Sequence, residues 1–307
     1  VQAFASYILR GPLQAIIVTA ISSVTSLILP PLAHVSGACV ALVTLRKGLS
    51  NGIFVLAITG LLLGLVGLVS SVNFEMIKIY ISAMVLVWWL PVVLTAAVLR
   101  FTRSLGLTIL FLGILCMVVM SVSYLIIGDI PAWWQDMIPS MLQPMYDATD
   151  FNLSKEELNQ LMANMSTVMT GFISATIVYL TMINLFIARW MQSILFNPGG
   201  FRAEFYGLKL DRRLGIFLLV VAAVSAFTSG IIANYALNLL ILIATLYSLQ
   251  GLAIVYAIIA ALNAHIGWLI GLYVLMFFAL PYVMLILSFT GLADNFMDFR
   301  SRIKKQK

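Results

Sequence analysis

The chain has 307 residues, 63% hydrophobic and only 9% charged, with a net charge of +6 and a mean hydropathy of +1.09. A soluble domain carries about 25% charged residues, so a soluble enzyme or binding module of ordinary size is excluded. The apolar windows suit helices crossing roughly 30 Å of hydrocarbon, and being apolar on every face they exclude the alternating strands of a β-barrel.

The composition therefore predicts an all-α protein: a polytopic transmembrane helix bundle of about eight to nine membrane segments with one outer amphipathic helix. Residues 1–307 read as a single integral membrane domain. Lys and Arg gather at segment ends, as the positive-inside bias requires. No basic stripe is interleaved with groove-reading residues, so the expected partner is the lipid bilayer and not nucleic acid. Cys39 and Cys116 both fall in apolar segments. Two Cys and two His give neither a disulfide framework nor zinc spacing. No metal, cofactor or catalytic residue is expected.

In chain order, Val1–Arg10 is a mildly amphipathic lead-in. The first apolar segment, 13–29, lacks a small-residue cleavage site and reads as a retained helix. Pro30 and Pro31 stop it, because proline lacks the N–H and blocks helix continuation. Segment 32–45 is short for a span and fits a tilted short helix or a re-entrant piece, closed by Arg46 and Lys47. Segments 53–72, 79–99 and 105–127 follow, the second carrying Trp88, Trp89 and Pro91 and ending at Arg100 and Arg103.

Residues 128–157 read as a long acidic outer loop, with Asp129, Asp136, Asp147, Asp150, Glu156 and Glu157 against Lys155. Trp133 and Trp134 fit rings resting at headgroup level. Ser154 and Glu157 fit a capping box. Leu158, Leu161, Met162, Met165 and Met169 recur at helical spacing, which makes 128–167 a loop with an amphipathic helix running into segment 168–190. Asn197–Arg213 is a polar, aromatic island predicted to be a cytoplasmic loop. No charged residue then occurs until Asp294. Segments 214–233, 236–262 and 266–289 fill that interval, and 294–307 is a basic tail.

With loop 197–213 in the cytoplasm and loop 128–157 outside, Arg100, Arg103, Arg46 and Lys47 fall inside, and Arg10 does too if segment 32–45 spans. The last third does not close: three spans after an inside loop put the basic tail outside, against the bias. A break in segment 236–262 at Gln250-Gly251, or a dip and return of the last segment at Pro281, would repair this. The unbroken segment is preferred. At about 100° per residue, Asn234, Asn238, Thr245, Tyr256 and Asn263 fall within roughly 40° of one another, and a break would scramble that stripe.

The stripe, with Asn184, lines a substrate cavity in one reading and is interhelical hydrogen bonding in the other. No ionisable residue lies deep in a span, which counts against a carrier or protease built on a buried carboxylate. His34 and His265 read as structural. Gly60-x-x-x-Gly64 and Gly267-x-x-x-Gly271 read as faces for close helix approach. Loop 197–213 is a solvated turn or a partner-docking element. In the docking reading Phe201, Phe205 and Tyr206 lie in the interface, and Arg202, Glu204, Lys209, Asp211 and Arg212 face the partner.

Asn197-Pro-Gly-Gly-Phe…Glu204-Phe…Leu208-Lys-Leu-Asp-Arg resembles the cytoplasmic loop of the YybS-like family of uncharacterised bacterial multi-pass inner-membrane proteins. Leu249-Gln-Gly-Leu-Ala253 and Gly291-Leu-Ala-Asp294…Asp298-Phe-Arg300 fit as well. The family is distantly similar to the substrate-binding membrane components of energy-coupling-factor transporters. The resemblance implies a bacterial cytoplasmic-membrane protein that binds a small molecule, and it assigns no binding residue.

Two functions follow. The first is a transport-related, small-molecule-binding component that docks a motor subunit, since the chain has no nucleotide-binding motif. The second is a non-transporting scaffold or accessory subunit with a membrane or cytoplasmic protein partner. An enzyme is not expected, for want of a nucleophile–base or metal set.

Overall fold

The computed structural model describes residues 1–69, 74–148 and 155–299. These residues are helical almost throughout, and no strand occurs among them. Six helices are long and apolar enough to cross a membrane: Leu49–Leu68, Lys78–Thr102, Leu105–Ile127, Glu156–Phe196, Gly230–Ala261 and Gly267–Met297. The chain is a multi-pass membrane protein. A bent pair near the N-terminus raises the number to seven. The eight to nine segments read from hydropathy are not reached because the stretches at 32–45 and 214–233 form helices of only 16 residues, about 24 Å each at 1.5 Å per residue.

Chain contacts divide the molecule into two compact units, where length alone suggested one bundle. Unit 1 is Val1–Leu112 with Ile177–Lys209, and unit 2 is Gly113–Thr176 with Leu210–Lys307.

Unit 1 begins with α1 (Gln2–Arg10) and α2 (Pro12–Thr25), which meet at 119°. Gly11 between them is extended, and Pro12 opens α2 where its missing N–H costs nothing. The centre of the unit is α3 (Leu32–Lys47). Every residue from Ser36 to Leu45 is buried. Small side chains make this possible: Ala33, Ser36, Gly37, Ala38, Cys39 and Ala41 leave room for neighbours on all sides. Several buried hydroxyls return to their own helix, which satisfies them without a partner helix. Thr19 donates to Ala15 O and Ser23 to Thr19 O in α2, and Thr44 donates to Val40 O in α3.

Helix α4 (Leu49–Val69) follows α3, then α5 (Phe74–Ala83), a π-helical turn (Met84–Trp89) and α6 (Leu90–Thr102). The π turn precedes Pro91, whose ring disrupts the regular ladder. It aims both tryptophans at α3: Trp88 Nε1 donates to Ala33 O at 2.8 Å and Trp89 Nε1 to Ser36 Oγ at 3.1 Å.

Two long helices contribute to both units: α7 (Leu105–Ile127) and α9 (Lys155–Phe196). The stretch at 128–157, expected to be a polar loop, is mostly α8 (Ile130–Ala148). Trp134 is not an interfacial ring alone. Its Nε1 donates to Thr170 Oγ1 on α9 at 2.8 Å, which ties α8 to that helix. The capping box at Ser154, with Asp150 and Asn152, lies outside the described residues. The amphipathic helix and the following span are one continuous 42-residue helix, α9.

The loop at 197–213 contains a short helix, α10 (Gly200–Tyr206), entered through Gly199 at φ 83°. Unit 2 continues with α11 (Arg212–Phe227), α12 (Gly230–Ala261) and α13 (Gly267–Met297). Helix α12 runs unbroken through Gln250-Gly251. Helix α13 carries a kink at Ala279 (φ −136°, ψ 40°), two residues before Pro281.

The joint of α12 and α13 explains the topology. A Cβ on Gly251 would lie 1.9 Å from Leu287 O, and one on Gly291 would lie 2.1 Å from Tyr247 O. The last turns of α13 thus cross the middle of α12 and not its end. The same turns lie beside the start of α11, where the Arg212 guanidinium stands 5.0 Å over the Phe296 ring. The last turns of α13 therefore lie at the end of unit 2 where Arg212 and Arg213 begin α11. Beyond the joint, residues 255–282 form an arm with no buried residue.

The close approaches are not where the paired glycines suggested. Gly64 and Gly271 have nothing within 4 Å of a built Cβ, and Gly60 meets only Val85. Gly37, Gly52, Gly106, Gly113, Gly251 and Gly291 are among the crowded ones.

Candidate functional site

The polar stripe of α12 falls apart into separate jobs. Asn238 is 1% exposed, and its amide is saturated. Oδ1 accepts from Gly171 N–H, while Nδ2 donates to Thr167 O at 2.7 Å, to Asn234 O at 2.7 Å and to Tyr124 Oη at 3.2 Å. It ties α12 to α9 at Gly171, where only a glycine leaves room. Thr245 turns its hydroxyl back to Ile241 O. Asn234 is half-buried and contributes its backbone carbonyl to Asn238. Tyr256 bonds Tyr273 Oη at 2.6 Å in an exposed position. Asn263 lies just past α12 at φ 50°, the left-handed conformation that asparagine tolerates and that ends a helix. These residues do not surround a common cavity.

Asn184 belongs to unit 1. It is fully buried, and its Oδ1 accepts from His34 Nδ1 at 2.7 Å. The His34 ring also tilts against Trp88 at 5.2 Å. Gly37 is the close neighbour that makes room for the Asn184 amide, whose Nδ2 has no hydrogen-bond partner among the described residues. His34 is thus a helix-packing residue. So is His265, whose Nδ1 accepts Gly267 N–H at 3.0 Å at the start of α13.

The docking residues of 197–213 are similarly spoken for. Phe201 and Phe205 cluster with Phe186 of α9 at 5.6 and 5.3 Å. Arg202 lies over the Tyr206 ring and donates to its Oη at 3.1 Å. Asp211 caps α11 by accepting Arg213 N–H at 2.8 Å. Arg212 covers Phe296. Lys209 is exposed, and its carbonyl faces Gly106. Glu204 faces inward, where both carboxylate oxygens accept from Arg189 Nε and Nη2 of α9.

That ion pair lines a cavity of about 480 Å³ in unit 1, together with Leu45, Leu99, Arg100, Arg103, Gln192 and Asn197. The cavity lies where the C-terminal ends of α3, α6 and α9 meet α10. Helix C-termini carry unsatisfied carbonyls and partial negative charge, which favours cations there. Arg100 answers that need: Nη1 donates to Leu45 O at 2.8 Å and Arg46 O at 2.6 Å, capping α3 from α6. Its remaining guanidinium donors make no hydrogen bond among the described residues. Arg46 lies 4.0 Å over the Phe196 ring. Arg103 follows α6 at φ 53° and is exposed; its backbone N–H donates to Leu99 O at 2.9 Å, and its guanidinium makes no hydrogen bond or ion pair to any described residue.

Three arginines and one carboxylate thus line the same cavity, with Leu45 and Leu99 beside them. Such a volume suits a small ligand, and the donor set suits an oxygen-rich anion. Among the described residues no group of three or more His, Cys, Asp or Glu is placed to hold a metal ion. Sequence reasoning used Arg100 and Arg103 only to mark sidedness and gave Arg189 no role. The signal that could have found the site is the pairing: three segment ends with arginine, and Glu204 as the nearest acid in the sequence. No protein-family model, curated protein or solved structure matches the chain.

Proposed function

We propose that this chain is a transport-related, small-molecule-binding component of a bacterial cytoplasmic membrane, without an ATPase of its own and without catalytic chemistry. In this reading α3 and α11 complete the bundle as short tilted segments, and the arginine-bearing ends face the cytoplasm. The observation that carries the reading is the 480 Å³ cavity, which keeps the unpaired guanidinium of Arg103 on its wall. A bundle that needed arginine only for sidedness has no reason to hollow out the place where the arginines meet. The YybS-like resemblance supports the same class of function.

A second reading, a non-transporting scaffold, is favoured by the uncovered arm of α12 and α13. Native mass spectrometry of the detergent-purified protein separates the two. A small molecule that exchanges with added ligand supports the first. A co-purifying subunit that is lost when the arm is altered, with no small molecule, supports the second.

A further inference from the structure

We infer that the unit 1 cavity is an oxyanion site, and that it takes a phosphate or phosphomonoester group against Arg103 and Arg100 while Glu204 holds the place of the anion in the empty state. The inference rests on the binding role proposed above and adds the ligand's chemical class.

The argument starts from donor accounting. A guanidinium presents five N–H donors in a planar fork matched to carboxylate and phosphate oxygens. Arg189 spends its fork on Glu204 and Gln192. Arg100 spends only Nη1, on the carbonyls that end α3. Arg103 spends nothing. The cavity therefore holds one neutralised cation and two with donors left over. The side-chain amides of Gln192 and Asn197 are further polar groups on the wall. Two net positive charges in a recess with an apolar wall favour a dianionic group over a neutral ligand, and cations in so partly enclosed a place are screened less than on open surface.

Glu204 is the other half of the argument. It sits on α10, within the cavity lining, and forms a two-point pair with Arg189. A carboxylate there neutralises part of the field that an incoming phosphate needs. It also sets the specificity, because a monoanion gains less from the remaining charge than a dianion does. The phosphate could come from a soluble metabolite or from a phospholipid headgroup. Basic recesses between transmembrane helices on the cytoplasmic side suit both.

The test uses the full chain, first in detergent with inorganic phosphate and glycerol 3-phosphate as probes, then in nanodiscs of phosphatidylcholine with or without phosphatidic acid, whose headgroup is a phosphomonoester. Arg103→Asn is the primary variant, because asparagine tolerates the left-handed backbone there and the guanidinium has no hydrogen-bond or ion-pair partner among the described residues. Loss of a charge-assisted contact should weaken binding about tenfold or more. Arg103→Lys should recover only part, since it keeps the charge but not the fork. Glu204→Gln should strengthen phosphate binding about threefold.

Glycerol 3-phosphate binding with those changes supports a soluble ligand. Retention of phosphatidic acid, lost in Arg103→Asn, supports a lipid headgroup. If neither variant alters either probe, the oxyanion inference falls. A neutral exchangeable ligand found by mass spectrometry, with both probes inert, would leave the binding role standing and remove the phosphate class. Phosphatidic acid held in the site with no exchangeable molecule would keep the site and remove the binding role.

Discussion

Unit 1 and unit 2 both put polar side chains into a hydrophobic chain, and they treat them in opposite ways. In unit 2, Asn238 and Gln250 exhaust their hydrogen-bonding capacity on other helices. Gln250 Oε1 accepts Leu210 N–H at 2.8 Å, and Nε2 donates to Gly291 O and Asn295 Oδ1, each at 2.9 Å. In unit 1 the arginines around the cavity keep donors in hand. An unsatisfied polar group in hydrocarbon costs several kcal/mol, so saturation is what a structural polar residue must achieve. A cation that stays unsaturated beside a cavity is available for something the fold does not supply.

The sharpest way to break this comparison is at the joint of α12 and α13. Gly251→Val or Gly291→Val drives a side chain into a backbone carbonyl that cannot yield as a side chain would. We expect a loss of about 3 kcal/mol or more, seen as collapse of thermal stability and aggregation in size-exclusion chromatography. Gly271→Ala is the control. It has open space, and alanine's better helix propensity should leave it neutral or more stable by up to about 1 kcal/mol. If Gly271→Ala is as damaging as Gly251→Val, the arm is packed in a way the fold described here does not contain.

These glycines also show where the sequence was legible. Apolar run length gives the helical class and the order of the segments, because that signal is local. The Gly-x-x-x-Gly spacing points to the wrong pairs, because a four-residue repeat says only that a helix has a small face. Which face meets a neighbour depends on where α13 crosses α12, and that crossing joins residues some forty positions apart. The two short motifs around Gln250 and Gly291 are the two sides of that crossing. The centrality of α3 was hidden for another reason: its small and hydroxylated residues lower its hydropathy, yet they are what lets a 16-residue helix be enclosed. The periodicity of the α12 stripe was sound from Asn238 to Thr245, but periodicity does not reveal whether a polar face meets water, ligand or backbone. The cavity was out of reach because it is assembled from four chain ends.

Next in size is Asn238→Leu. Its amide bridges Thr167 O and Gly171 N–H of α9, and interhelical hydrogen bonds of this kind contribute about 0.6–2 kcal/mol. We expect the melting temperature to fall and the shift induced by phosphate to remain. A normal melting temperature with a lost ligand response would reverse the roles assigned to the two units.

Smaller still is Tyr256→Phe, which removes one exposed hydroxyl contact to Tyr273. Substitutions of that sort stay within about 0.5 kcal/mol, measured by thermal unfolding. A drop above that range would mean that the arm is held by its polar edge.

The smallest effect on stability should come from the residue that matters most to the proposed ligand. Arg103 ends α6 in a left-handed conformation with its backbone N–H on Leu99 O, and its guanidinium has no hydrogen-bond or ion-pair partner among the described residues. Asparagine suits that backbone at least as well, and removing one of several nearby cations relieves repulsion in the empty cavity. Arg103→Asn should therefore unfold within about 0.5 kcal/mol of the parent in phosphate-free buffer. In saturating phosphate the parent should pull ahead, because a ligand that binds only the folded state stabilises it according to its affinity. The comparison between the units thus becomes one between two melting curves. Asn238→Leu should shift both the empty and the phosphate-bound curve alike, whereas Arg103→Asn should shift only the second. A loss of stability without ligand in Arg103→Asn would make that arginine another saturated structural residue, and the distinction between the two units would end there.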